Sequence, residues 1–250
     1  MNFDAPEFVF AAGLVFARLG AILMLMPGFG EPSIPTQIRL SFAFLLCLVL
    51  GPIIAPLLPV MPDQPLMLAG MVGTEVLIGL MIGAMARIFM ATAAIAGQII
   101  SMQTSLAMAQ SFDPSQGTQG AMMSTFLNLV FIALLFTTNL HHLLLLAAYD
   151  SYALFTPGSL PTMSDAAMWA VEAFIDAFRI AVQLAAPLIV YGLVFYLSLG
   201  VLSRLMPQLQ IFFIAMPANI MVGLFIVTIA LGTMSAVWLE RMQRFATELN

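Results

Sequence analysis

RLMPQLQIFFIAMPANIMVGLFIVTIALGTMSAVWLE, from Arg204 to Glu240, encloses 35 residues without a charge and sets Pro207, Pro217 and Asn219 among them. About 20 such residues make one membrane crossing, so the stretch belongs in or against a bilayer. Proline and asparagine interrupt its regularity. Backbone broken at membrane depth survives only where protein or a water-filled cavity satisfies it. The segment therefore predicts a helix packed in an assembly or lining a path, rather than a plain lipid anchor.

The rest of the chain carries the same message. It is 62% hydrophobic and 8% charged, with a mean hydropathy of +1.06, whereas soluble domains carry about 25% charged residues. In 250 residues of this composition there is no room for a separate soluble enzyme domain. The seven positive residues are all arginine and the net charge is −5. Without lysine or a basic cluster, nucleic-acid binding has no support, and neither does a polybasic lipid patch. Cys47, the single cysteine, excludes an internal disulfide and reads as a small buried hydrophobe. Asp4 and Glu7 give the amino terminus the wrong charge for a cleaved signal peptide, so the first helix is expected to be retained.

Charges and turn residues divide the sequence into about six hydrophobic runs: Phe8–Met26, Leu40–Leu58, a third starting near Leu66, Ala121–Ala148, Phe178–Ser203, and a last one from after Pro207 to Trp238. The reading is one membrane-embedded domain over residues 1–250, an all-α polytopic bundle with several helices kinked or broken. Two connections are expected. Gly97 to Gly120, GQIISMQTSLAMAQSFDPSQGTQG, holds five glutamines and one charge, Asp113. It is too polar for lipid and too apolar for a solvated loop, which points inside protein or to a pore. Tyr149 to Asp176 is acidic.

Few residues could carry chemistry. Glu75 lies in an apolar run and could be a proton or ion site, and the favoured alternative is an internal pair with Arg18 or Arg87. Under that reading Glu75→Gln is expected to be mild. His141 and His142 are adjacent, about 100° apart on a helix, and cannot readily share a metal. They read as helix-end groups bonding carbonyls. Neither a nucleophile motif nor a phosphate-binding glycine loop occurs, so no catalytic residue, metal or cofactor is expected. Gly70, Gly73, Gly79 and Gly83 have the spacing of close helix packing. Asp176 and Arg179 read as a surface ion pair. Among 20 methionines, Met102, Met108, Met122 and Met123 flank or enter the 97–120 connection. They read either as gap-filling or as a deformable seal in a conduit.

Taken in order, several motifs resemble one family. AGQIISMQTSLAMAQSFDP (Ala96–Pro114) looks like the central segment of the FliR family, membrane proteins of the flagellar export gate with relatives in the injectisome. The likeness continues through PGFGEPSIPTQIRL (Pro27–Leu40), FLNL (Phe126–Leu129), NLHH (Asn139–His142) and TPGSLP (Thr156–Pro161), and is strongest in RLMPQLQIFFIAMP (Arg204–Pro217). Leu140, Gln210 and Ala215 depart from the residues common there.

The resemblance implies a helical hetero-oligomer with FliP and FliQ, associated with FlhB and FlhA, in the inner membrane at the flagellar basal body. Such an assembly passes unfolded flagellar subunits and does no catalysis of its own. It implies a pore plug over roughly 105–120, with Met102, Gln103, Met108, Gln110, Phe112, Asp113, Pro114 and Gly117 as plug or gating residues. Arg204, Pro207, Gln208, Phe212, Pro217 and Asn219 would form the helix-break and assembly motif. Arg18, Glu75 and Arg87 are the intramembrane charges. The rival reading is a small secondary transporter with a mid-membrane site around Glu75.

Overall fold

A computed structural model describes residues 5–111, 122–159, 163–208 and 210–248, and among them finds helices, turns and no strand. The helices are α1 (Ala5–Leu25), α2 (Thr36–Ile54), α3 (Pro65–Gln103), α4 (Leu106–Ser111), α5 (Met122–Thr137), α6 (Leu140–Leu154), α7 (Met163–Leu205) and α8 (Ile211–Glu248). A single 3₁₀ turn, Ala55–Leu57, follows α2. Among the described residues, five helices are long and apolar enough to cross a membrane, or six crossings if the bent pair α5–α6 counts as one. The chain is a polytopic helical membrane protein.

Proline and left-handed residues set the boundaries. α3 opens on Pro65, whose missing N–H costs nothing in the first turn. α1 gives way to Pro27 and Gly28, the latter at φ +82°, a conformation that glycine adopts without strain. Pro207 disfavours helical geometry at Met206, and α7 stops at Leu205.

Three sequence expectations need correction and one needs detail. The fourth hydrophobic run is one of the expected broken helices, and what needs adding is where it breaks: it bends by 76° between α5 and α6, where Asn139 sits at φ +59°. The connection at 97–120 is shorter than expected, because α3 persists to Gln103 and α4 occupies Leu106–Ser111. The acidic connection shrinks to the residues between Leu154 and Met163. Apolar contacts continue the helices through residues whose polarity alone suggested loops. Pro217 does not break α8, which runs through it. It withdraws the backbone donor that would otherwise reach the Phe213 carbonyl.

The chain forms two compact units, Met1–Phe89 with Leu135–Phe174 and Met242–Asn250, and Met90–Leu134 with Ile175–Arg241. The core of the first gathers Leu14, Leu19 and Ile22 of α1, Ile78, Ile82 and Met85 of α3, Leu144 and Tyr152 of α6, and Phe245. Phe245 packs on Phe89 at 4.5 Å between ring centroids. Gly79 and Gly83 let α1 approach α3. A Cβ on Gly79 would stand 2.5 Å from the Arg18 carbonyl, and one on Gly83 would press on Leu25 and Ile22. Gly70 and Gly73 face open space, so only half of that glycine series makes a packing seam.

In the second unit Phe131 stacks on Trp238 at 4.6 Å, and Ile100, Leu127, Leu184 and Leu188 are also buried. Gly97 admits the backbone of Ser124, whose hydroxyl donates to the Ala94 carbonyl at 2.9 Å. Outward faces remain apolar: Phe44, Leu48 and Val49 on α2, Val190, Leu193 and Leu197 on α7, and Ile214, Met221 and Phe225 on α8 are all exposed. Lipid or apolar partner helices would satisfy them.

Candidate functional site

Two buried polar clusters stand out from the apolar packing. The first is built on Arg18 and Glu75, both fully buried. Arg18 Nε donates to Glu75 Oε2 at 2.6 Å and Nη2 to Oε1 at 3.2 Å. Nη1 donates to the Ser151 and Phe155 carbonyls at 2.9 and 3.1 Å, and Nη2 also reaches Phe155 at 3.1 Å. Guanidinium has five N–H groups, and these contacts occupy them. Its carbon lies 4.2 Å from the centroid of the Tyr152 ring, a cation–π arrangement. Glu75 Oε1 additionally accepts the Gly158 backbone N–H at 2.9 Å.

The geometry explains the location of this cluster. Ser151 and Phe155 are at the carboxyl end of α6, where the helix dipole favours a cation; the Ser151 carbonyl accepts the Phe155 N–H as well as the guanidinium. Gly158, at φ +81°, turns its N–H towards the carboxylate. The cluster thus ties α1, α3 and the residues after α6 together. Of the two cations offered for Glu75, Arg18 takes it. Arg87 pairs instead with Glu31 at 3.0 Å, holding the loop between α1 and α2. The mildness expected for Glu75→Gln needs revision. Glutamine has one acceptor oxygen where three donated hydrogen bonds arrive, and it leaves a buried guanidinium uncompensated.

The second cluster terminates α3. Asn219 of α8, fully buried, donates from Nδ2 to the Gln103 carbonyl at 3.1 Å and to Ser105 Oγ at 2.7 Å. A carbonyl can only accept, which sets the amide's orientation. The Tyr196 hydroxyl of α7 donates to the Met102 carbonyl at 3.2 Å and lies 3.3 Å from Ser105 Oγ. Thr104 Oγ1 donates to the Ile100 carbonyl at 2.9 Å. Gly192 makes room for Gln103, and Gly223 for Thr104. Ser105 sits at φ +60°, the position where a helix end usually carries glycine. Its N–H reaches back to the Met102 carbonyl at 3.4 Å. Asn219 Oδ1 is buried without a partner among the described residues. An open groove of about 390 Å³, lined by Gln103, Ile189, Leu193, Tyr196 and Leu197, runs beside the cluster.

The remaining expected site residues fall as follows. Met102 and Met108 are exposed on either side of the Thr104–Ser105 turn, and Gln110 belongs to α4. Phe112, Asp113, Pro114 and Gly117 lie outside the described residues. Arg204, Pro207, Gln208 and Phe212 are exposed at the α7–α8 connection and the first turn of α8. Of the Arg204–Asn219 motif, only Asn219 joins a buried cluster. Tyr196, Thr104 and Ser105 were not singled out by the sequence. A tyrosine in an apolar run and adjacent hydroxyls at a helix end were the available signals. The His141 and His142 rings lie 4.0 Å apart, tilted by 39°, and His141 Nδ1 is 3.5 Å from the Leu135 carbonyl, too long for a strong bond. Among the described residues no three His, Cys, Asp or Glu side chains gather as a metal site. The two clusters anchor helices. Neither presents a nucleophile beside a base.

Comparison with known proteins follows the same architecture along the chain. The family described as Bacterial export proteins, family 1, matches residues 9–245. A flagellar biosynthetic protein FliR of Caulobacter vibrioides is 44% identical over 96% of this chain and 96% of its own length. The FliR of Bacillus subtilis is 29% identical over 90% and 87%, and that of Escherichia coli 29% over 83% and 78%.

Proposed function

The chain belongs to the FliR family of bacterial export proteins, and from that premise we propose that it is a subunit of the flagellar protein-export gate in the bacterial inner membrane. It assembles with FliP and FliQ, contacts FlhB and FlhA, and helps pass unfolded flagellar subunits. It carries no chemistry of its own. The segment from about 105 to 120 plugs the conduit, with Met102 and Met108 sealing around it and Gln103 and Gln110 lending polarity without charge.

One observation carries this reading: the base of that segment is clamped by neutral hydrogen bonds from α7 and α8. A plug needs such a base, since an unanchored polar loop would be dragged by passing cargo. The transporter alternative loses support because Glu75 is committed to Arg18 and Gly158 rather than free for a mobile ion.

Co-expression with FliP and FliQ, followed by native mass spectrometry in mild detergent, should give a defined hetero-oligomer containing this chain. A monomer or homodimer with both partners present but unbound would overturn the assembly. Deleting Ser111–Gly117 should leave that assembly intact and make membranes leak small ions. Unchanged conductance in an assembled complex would remove the plug.

A further inference from the structure

The turn between α3 and α4 is two residues long, Thr104 and Ser105, and Ser105 is the described residue there with a left-handed backbone. Left-handed geometry is unfavourable for any residue with a Cβ. Were Ser105 right-handed, α3 would run on into α4 as one helix. The Met102 and Gln103 carbonyls are those a continuing α-helix would next offer to residues 106 and 107. Here the Ser105 N–H and the Tyr196 hydroxyl donate to the Met102 carbonyl, and Asn219 donates to that of Gln103. Asn219 also holds the Ser105 hydroxyl, so one side chain both occupies a helix-end acceptor and grips the left-handed residue.

We propose that Asn219 and Tyr196 are positioning residues that hold Ser105 left-handed, making Thr104–Ser105 a two-state hinge whose relaxed form is a continuous α3–α4 helix. The proposal rests on the plug reading above and adds its control: the hinge sets the direction in which the chain leaves α3. With both donors engaged, the chain turns after α3. When they let go, Ser105 relaxes and α3 and α4 join as one helix. The cluster suits release. It is uncharged, so breaking it strands no ion. Asn219 already keeps one buried oxygen without a partner, so its bound state is not saturated. Tyr196 is partly exposed beside the open groove, where a neighbouring chain could draw the hydroxyl away.

The test uses the full chain co-purified with FliP and FliQ and reconstituted in liposomes. Hydrogen exchange is read across residues 104–108, and passive potassium flux is read in parallel. Asn219→Ala and Ser105→Ala should each slow exchange by ~10-fold, the ratio that an αL penalty of this kind implies, and should raise the flux. Adding Ser105→Gly to Asn219→Ala should return both readouts towards the parent, because glycine adopts the turn without strain. Loss of an ordinary packing contact would not be rescued in this way. If Asn219→Ala fails to assemble, Ser105→Ala decides alone. Exchange that is unchanged or faster in the alanine variants overturns the hinge. Slower exchange with unchanged flux sustains the hinge and overturns the plug reading instead.

Discussion

The Arg18–Glu75 cluster and the Asn219–Ser105–Tyr196 cluster are both polar islands in apolar helices, yet they are built to opposite specifications. The first is ionic and saturated: the guanidinium has a partner for each N–H, and the carboxylate accepts three hydrogen bonds. The second is neutral and incomplete, with a left-handed serine at its centre and an amide oxygen lacking a partner among the described residues. A saturated buried ion pair is expensive to separate, because either charge left alone in a low-dielectric interior is strongly penalised. A neutral cluster with residual strain can change partners at modest cost. One island is expensive to open and the other is not.

The largest expected effect breaks the first island. Glu75→Ala should cost about 3–5 kcal/mol by stranding Arg18, read as loss of folded protein in detergent melts. Replacing both residues, Arg18→Met with Glu75→Leu, should recover most of it. A stable single variant would dissolve the contrast. Next come the glycines. Gly79→Ala forces a methyl against the Arg18 carbonyl and should cost about 1–3 kcal/mol. Gly73→Ala meets open space and should be neutral or stabilise by up to ~1 kcal/mol. Equal melting shifts would show that α1 and α3 are not closely seated. Asn219→Ala should cost only about 1 kcal/mol in stability, while changing exchange and conductance. A loss as large as that of Glu75→Ala would make the second island a fastening too. The smallest effect belongs to Arg179→Gln. That pair with Asp176, 3.2 Å apart, is exposed on both sides and should shift stability by less than about 0.5 kcal/mol.

The spans were legible because long charge-free runs have few alternatives to a membrane helix. The Arg18–Glu75 pair was legible through scarcity: an internal carboxylate had only two nearby cations to choose from. Hidden from the sequence was the break at Asn139, since the flanking run is uniformly apolar and a single left-handed residue leaves no compositional trace. The second island was half visible. Asn219 stood out as an amide in an apolar helix, but its partner Gln103 lies 116 positions away, and no local pattern links them. Tyr196 resembled any other aromatic in a membrane run. The carbonyl acceptors at Ser151, Phe155, Met102 and Gln103 are backbone groups, which no reading of side-chain types can single out. Pro217 misled for a related reason: proline marks a lost donor, and here the helix continues past that loss.

The helices have one further consequence, in length. α3, α7 and α8 have 39, 43 and 38 residues, so at about 1.5 Å per residue each is roughly 57–65 Å long. The hydrocarbon layer is about 30 Å thick. Even a tilt of about 40° would leave each helix spanning more than 40 Å along the normal. These rods outreach the oil that would solvate them, and their surfaces stay greasy well along α7 and α8. In the proposed gate, neighbouring subunits would serve this protein as a second solvent, covering the height that lipid cannot.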